Sequence, residues 1–145
     1  MAFETTPFGA IAAPGLAFPF VTHSIETGIL QEDKDSEGGF ALWAKTGTAG
    51  EAGKVYVNKP ENGVFLGIAQ RTMFNDSYRA GMTVNVLKKG RVWVRVLGEV
   101  VSGDAAYVND TNNAFTATST GGTQIVGGTF KSDAADGGLA ELEIA

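Results

Sequence analysis

The sequence predicts an all-β protein, a small antiparallel β-barrel or sandwich with an extended N-terminal arm. Three observations predict it. From Gly81 to Val108 the chain alternates apolar and polar residues with period two, the spacing at which successive side chains point to opposite faces of a sheet. The 145 residues include 20 glycines, with abundant Val, Thr and Phe and only 19% charged residues, a composition of strands joined by tight turns. Finally, no stretch sustains the apolar stripe of a helix. The one place a helical turn fits is Phe74 to Ala80.

The elements follow in chain order. Residues 1–25 carry one charged side chain, Glu4, with three of the four prolines and four of the nine phenylalanines. Pro7, Pro14 and Pro19 oppose a helix, and with Gly9 and Gly15 they favour an irregular, extended course. Two readings stand: an arm that lies over a neighbouring subunit or another surface by main-chain hydrogen bonds and aromatic anchors, or a first strand from Leu16 to Val21. The arm is preferred for residues 1–15 and the strand from Leu16 onward. Phe8 to Val21 is too short to span a bilayer and holds two prolines. The first basic residue is Lys34, so a secretory leader is not expected, nor is a membrane partner.

Residues 26–145 read as a single β domain. About 68% of the unfolded surface of a chain this long is buried on folding, enough for one independent core. Strands are expected over Phe40 to Lys45, Lys54 to Val57 and Val64 to Arg71. The acidic Gln31–Gly39 and the small, flexible Thr46–Gly53 are loops within that domain, since neither flank could bury a core alone. Gly81–Val108 reads as a hairpin turning at Lys88-Lys89-Gly90. Val92, Val94 and Val96 share one face, and Arg91, Trp93 and Arg95 the other. Ser102-Gly103-Asp104 is a turn before a strand from Ala105 to Val108. Ala114–Thr120 is an exposed connection, and Gly127-Gly128 and Gly137-Gly138 are turns.

Charge is uneven. Six basic residues lie between Arg71 and Arg95 against one acid, Asp76, while Glu26–Glu37 holds five acids and Glu99–Glu143 seven. This is either a solvated surface or electrostatic complementarity with acidic neighbours. The net charge of −5 argues against nucleic acid as a partner. Arg91, Trp93 and Arg95 read as a protein contact, because Trp and Arg are enriched where interfaces concentrate their energy.

A search for chemistry finds none. Asp33-x-Asp35-x-Glu37-Gly38 starts like a calcium loop, but its twelfth position is Ala44 in place of a bidentate glutamate. His23 is the only histidine and there is no cysteine, which leaves no multi-histidine or thiolate metal site. Glu141 and Glu143 share one side of a strand, a spacing that could serve a glycosidase but suits a solvent face better. No cofactor is expected, and the chain is read as no enzyme.

The stretch KKGRVWVRV, followed by a glycine, a short apolar run, Gly103-Asp104 and AAYV, resembles the structural cement (decoration) proteins of tailed-bacteriophage heads. Gly127 to Ile144 resembles that family's closing strand pair, and Val64 to Arg71 its preceding strand. The likeness covers roughly residues 55–145. It implies a virion structural protein, made in the bacterial host cytoplasm, that binds the outside of the head and stabilises it by bridging adjacent major capsid subunits. The implied partners are the major capsid protein and the chain itself, as a homotrimer ahead of a dimer. Contact candidates are Phe8, Phe18, Phe20, Arg91, Trp93 and Arg95. The alternative is a small β-sandwich binding module, for glycans or in a phage tail, for which Trp43, Tyr56, Tyr78 and Asn75 supply the raw material.

Overall fold

The structure is a computed structural model that describes residues 4–5, 11–12, 14–15, 24–71 and 77–145. Among the described residues eleven strands run in chain order: β1 (Glu4–Thr5), β2 (Ile11–Ala12), β3 (Ser24–Leu30), β4 (Ala41–Lys45), β5 (Lys54–Val55), β6 (Gly63–Ala69), β7 (Thr83–Arg95), β8 (Ala105–Asn109), β9 (Phe115–Thr116), β10 (Gly122–Phe130) and β11 (Leu139–Ile144). Among the described residues there is no helix. The all-β class and the three strands expected between Phe40 and Arg71 are found. Leu16–Val21, His23 and the first three residues of the expected helical turn, 74–76, lie outside the described residues; 77–80 are not helical, and Tyr78 bridges extended to Lys34.

Nine strands form one sheet, in the order β4-β6-β7-β11-β10-β8-β9, with β3 pairing both β7 and β5. The sheet folds into two halves that share β7. In the first half β7 pairs with β3 and β6, β6 pairs with β4, and a bridge between Trp43 and Tyr56 brings the end of β5 back to β4. In the second half β11 pairs with β7, β10 with β11, β8 with β10 and β9 with β8. A bridge from Phe115 to Val96 then returns to the end of β7. Each half thus nearly closes into a small barrel, which leaves few exposed sheet edges.

The expected hairpin at Lys88-Lys89-Gly90 is not formed. β7 is one continuous strand of 13 residues, and the break in its alternation is a bulge. Ser24 pairs with Lys89 but Ile25 pairs with Leu87, so one step on β3 spans two on β7. An extra residue shifts the phase of a strand and bends it. Before the bulge Val84 and Val86 face one core, while Val92 and Val94 beyond it face the other. Gly90 takes φ 128° where β7 changes partners from β3 to β11. Gly127-Gly128 is likewise a bulge inside β10, where the register with β8 shifts between Gln124 and Thr129. The Ser102-Gly103-Asp104 turn is found, with the Val101 amide donating to Asp104 Oδ2 at 2.9 Å.

Two cores result. Leu30, Leu42, Val55, Tyr78, Val84 and Val86 fill the first half. Ala41, Trp43, Ile68 and Leu87 pack from the first half against Val92, Val94, Phe130 and Leu142 of the second. β4 is therefore covered on both faces, which explains its unbroken apolar run Ala41-Leu42-Trp43.

Among the described residues, Gly15 fixes the N-terminal segment to this body. The Gly15 amide donates to the Trp93 carbonyl at 2.7 Å, and the Arg71 amide donates to the Gly15 carbonyl at 3.0 Å. Gly15 is buried with φ 75°, and a Cβ there would collide with Gly39 N and lie 2.8 Å from the Ala69 carbonyl oxygen. Only glycine fits the slot. Upstream, β1 and β2 pair with each other and with no strand of the body.

Candidate interaction surface

The acidic loop is more than a solvated one, because its charges meet the basic stretch of the same chain. Glu26 lies 3.4 Å from Lys88, Asp35 2.8 Å from Arg79 and Glu37 2.9 Å from Arg71. Antiparallel pairing of β3 with β7 and the Lys34–Tyr78 bridge bring the two segments together. The Asp35 hydrogen bond and charge raise the Arg79 pKa further. The Arg71 side chain is only 3% exposed. Asp33 accepts from the Ala80 amide at 2.8 Å, so the three carboxylates of the calcium-like run point to three different partners. Among the described residues no group of three or more His, Asp or Glu is placed to hold a metal ion.

The stripe Arg91-Trp93-Arg95 lies on the second half of β7, opposite β11. Glu143 pairs in register with Arg91, and Glu141 with Trp93. As expected, the two glutamates share a face, since Ala140, Leu142 and Ile144 turn inward. Arg91 Nε donates to Glu143 Oε2 at 2.5 Å, and Lys131 Nζ lies 3.9 Å from the other carboxylate oxygen. The Arg91 hydrogen bond, with the charges of Arg91 and Lys131, holds the Glu143 carboxyl below its ordinary pKa against a smaller opposing effect of desolvation. Arg95 is exposed and donates to the Gly137 carbonyl at 3.1 Å. Trp93 is only 5% exposed. The stripe thus presents two arginines over a covered tryptophan. Phe8, Phe18 and Phe20 lie outside the described residues.

Of the aromatics proposed for glycan stacking, Trp43 and Tyr78 sit in the interior and Tyr56 is partly buried. Trp43 is fully buried, its Nε1–H donating to Asn113 Oδ1 at 2.8 Å. Tyr78 is also buried, and burial raises its pKa while Arg71 works the other way. Tyr56 donates to Glu51 at 2.6 Å; that hydrogen bond is the chief cause of its raised pKa. Asn75 lies outside the described residues. No exposed stacking platform is assembled by Trp43, Tyr56 and Tyr78.

One surface was not anticipated. Val126 is 86% exposed and Val64 45%, and they flank a groove of about 340 Å³ between β6 and β10. The signal was faint: Ile125 and Val126 are adjacent in β10, so one of them must face outward unless both faces are covered.

The described body is all-β, and many of its acids and bases hold one another or cap its turns. Comparison with known proteins gives the class of protein. The profile of the structural cement protein family (E217 gp24/Pam3 gp6) matches residues 5–145, and the chain belongs to that family of phage capsid-associated structural proteins. A chain of the solved capsid of Myoviridae phage XM1 has the same fold, with TM-score 0.71 and 14% identity, over 99% of this chain and 98% of that one. The head fiber gp8.5 N base of bacteriophage phi29 aligns with TM-score 0.48 and 13% identity, over 86% of this chain and 95% of that one. No curated protein sequence matches the chain.

Proposed function

We propose that this protein binds the outer surface of a phage head and stabilises the shell by bridging adjacent major capsid subunits. The observation that carries the reading is membership of the cement family over residues 5–145. The surface chemistry is compatible with it, since several charged groups of the described body serve ion pairs and turn caps. The mechanism is linkage: a protein that binds the assembled shell and not its free subunits shifts the equilibrium toward the shell. Self-association, as a homotrimer ahead of a dimer, would multiply contacts per particle and raise avidity. Arg91, Trp93 and Arg95 are the contacts of the β7 stripe. Phe8, Phe18 and Phe20 are contacts of the N-terminal segment. Synthesis falls in the host cytoplasm and the mature location is the virion.

The test is the copy number of this chain relative to the major capsid protein in purified particles, by quantitative mass spectrometry. Hundreds of copies per particle are expected. A handful would place the protein at a vertex or tail, and none would overturn the reading.

A further inference from the structure

The groove between β6 and β10 is bounded by two strand edges without partners among the described residues. β6 pairs with β4 from Gly63 onward, but on its other side it meets β7 only at Ile68 and Ala69. β10 meets β11 only from Gly128 to Phe130, with a further bond from the Ala145 amide to the Gly127 carbonyl. From Gly122 to Val126 its pairing is with β8 alone. The two edges diverge because the bulge at Lys88 turns β7 away from β6 and β11 takes its place beside Gly90. Phe65, Ile125 and Ile144 line the opening, Val64 and Val126 rim it, and Lys88 is the one charged lining residue. Main-chain edges on both sides and apolar side chains between them are what an extended peptide needs to add as a strand.

We propose that this groove accepts the N-terminal segment, residues 1–13, of a second copy of the chain. The inference rests on the self-association part of the function proposed above. The match is one of charge and reach. Among its side chains the segment holds one formal charge, Glu4, with apolar residues at Phe3, Phe8 and Ile11. The groove is equally free of charge except for Lys88, whose present partner Glu26 is a loose 3.4 Å away and exposed. Glu4 of the incoming segment meets Lys88. Pinned at Gly15, the 13 residues before Pro14 can span at most about 45 Å when extended. A domain of this length has a radius of gyration of about 15 Å, so the segment reaches past its own body to a neighbour. The β1–β2 pairing that must open is a two-rung ladder, marginal by itself in water. Each copy gives one segment and receives one, so the contact is made at every subunit boundary of a closed ring or dimer.

The chain has no cysteine, which allows a clean trap. Two full-length variants, Thr5→Cys and Gln124→Cys, are mixed and oxidised, and the mixed disulfide is identified by mass. Sedimentation measures association of the wild type, of Val126→Asp and of Lys88→Glu, with circular dichroism melts confirming that each variant is folded. Expected are an oligomeric wild type, a mixed disulfide in excess over either symmetric one, and association at least tenfold weaker in both groove variants. A monomeric wild type overturns the inference and the self-association reading together, leaving head binding to the copy-number measurement. An oligomer that Val126→Asp does not weaken overturns the groove alone. So does a Thr5→Cys/Gln124→Cys double variant that closes only within one chain.

Discussion

The two halves of the body lean on their acidic residues in different proportions: ion pairs lead in the first and turn caps in the second, although Glu32 and Asp33 also accept from main-chain amides. In the first, Glu26, Asp35 and Glu37 each meet a cation from the segment between Arg71 and Lys88. In the second, three aspartates bind main-chain amides: Asp136 accepts from Gly98 at 2.7 Å, Asp133 from Ser102 at 2.8 Å and Asp104 from Val101 at 2.9 Å, while Asp110 pairs with Lys59 at 3.3 Å. The first half is held by long-range pairing, including a parallel contact of β3 with β5, and its ion pairs join segments distant in sequence. The second is largely built from neighbouring strands, and its acids fix the turns between them. An uneven charge distribution along a sequence thus carries two meanings, and only one of them concerns charge.

This contrast is broken most strongly at Glu37. Its partner Arg71 has a side chain only 3% exposed and lies beneath the point where Gly15 is fixed. Removing one member of a buried pair leaves the other charge poorly solvated, at a cost of about 3 kcal/mol. Glu37→Ala is therefore expected to lower unfolding stability by about 3 kcal/mol in chemical denaturation. A loss under about 1 kcal/mol would mean that other groups hold Arg71 and that the pair behaves as a surface one.

The turn caps of the second half respond differently. Asp136→Ala removes an acceptor from the Gly98 amide and is expected to cost about 1 kcal/mol. Asp136→Asn should recover most of that, since an amide oxygen also accepts. Denaturation of both variants in low and high salt checks the distinction. If Asn fails where Asp succeeds, charge matters in the second half too, and the contrast with the first collapses.

The same asymmetry governs how much of the molecule was legible in the sequence. The alternation of β7, the Ser102-Gly103-Asp104 turn and the inward set Ala140, Leu142 and Ile144 follow from period two alone. Lys88-Lys89-Gly90 was misleading because a bulge and a turn break the alternation in the same way, and the choice between them lies in pairing partners far away. Gly127-Gly128 failed for that reason as well. Gln31–Gly39 looked solvated because nothing local to it reveals that Arg71 and Arg79 are across from Glu37 and Asp35. At the candidate surface the face shared by Arg91, Trp93 and Arg95 was readable, but the cover over Trp93 was not. The groove at Val64 and Val126 was missed because two segments about sixty residues apart build it.

Glu143 gives the smallest effect and the sharpest test of the contrast, because it is a second-half acid paired with cations of its own half. Arg91 and Lys131 lower its pKa in the folded protein. A carboxylate lowered in this way contributes stability that is fully present above the unfolded glutamate pKa, about 4.3, and is lost as pH falls through the folded value. Glu143→Gln keeps an acceptor for Arg91 but removes the charge. Wild type should therefore melt slightly above the variant near neutral pH. The gap should narrow below about pH 4.3 and close as the carboxyl of the wild type is protonated. The effect is small because both partners are part exposed, Arg91 at 37% and Glu143 at 28%. Melting curves from about pH 3 to about pH 7 decide the matter. A gap that stays constant with pH would show that Glu143 acts through hydrogen-bond geometry, as Asp136 does, and would align it with the aspartates that cap the second-half turns.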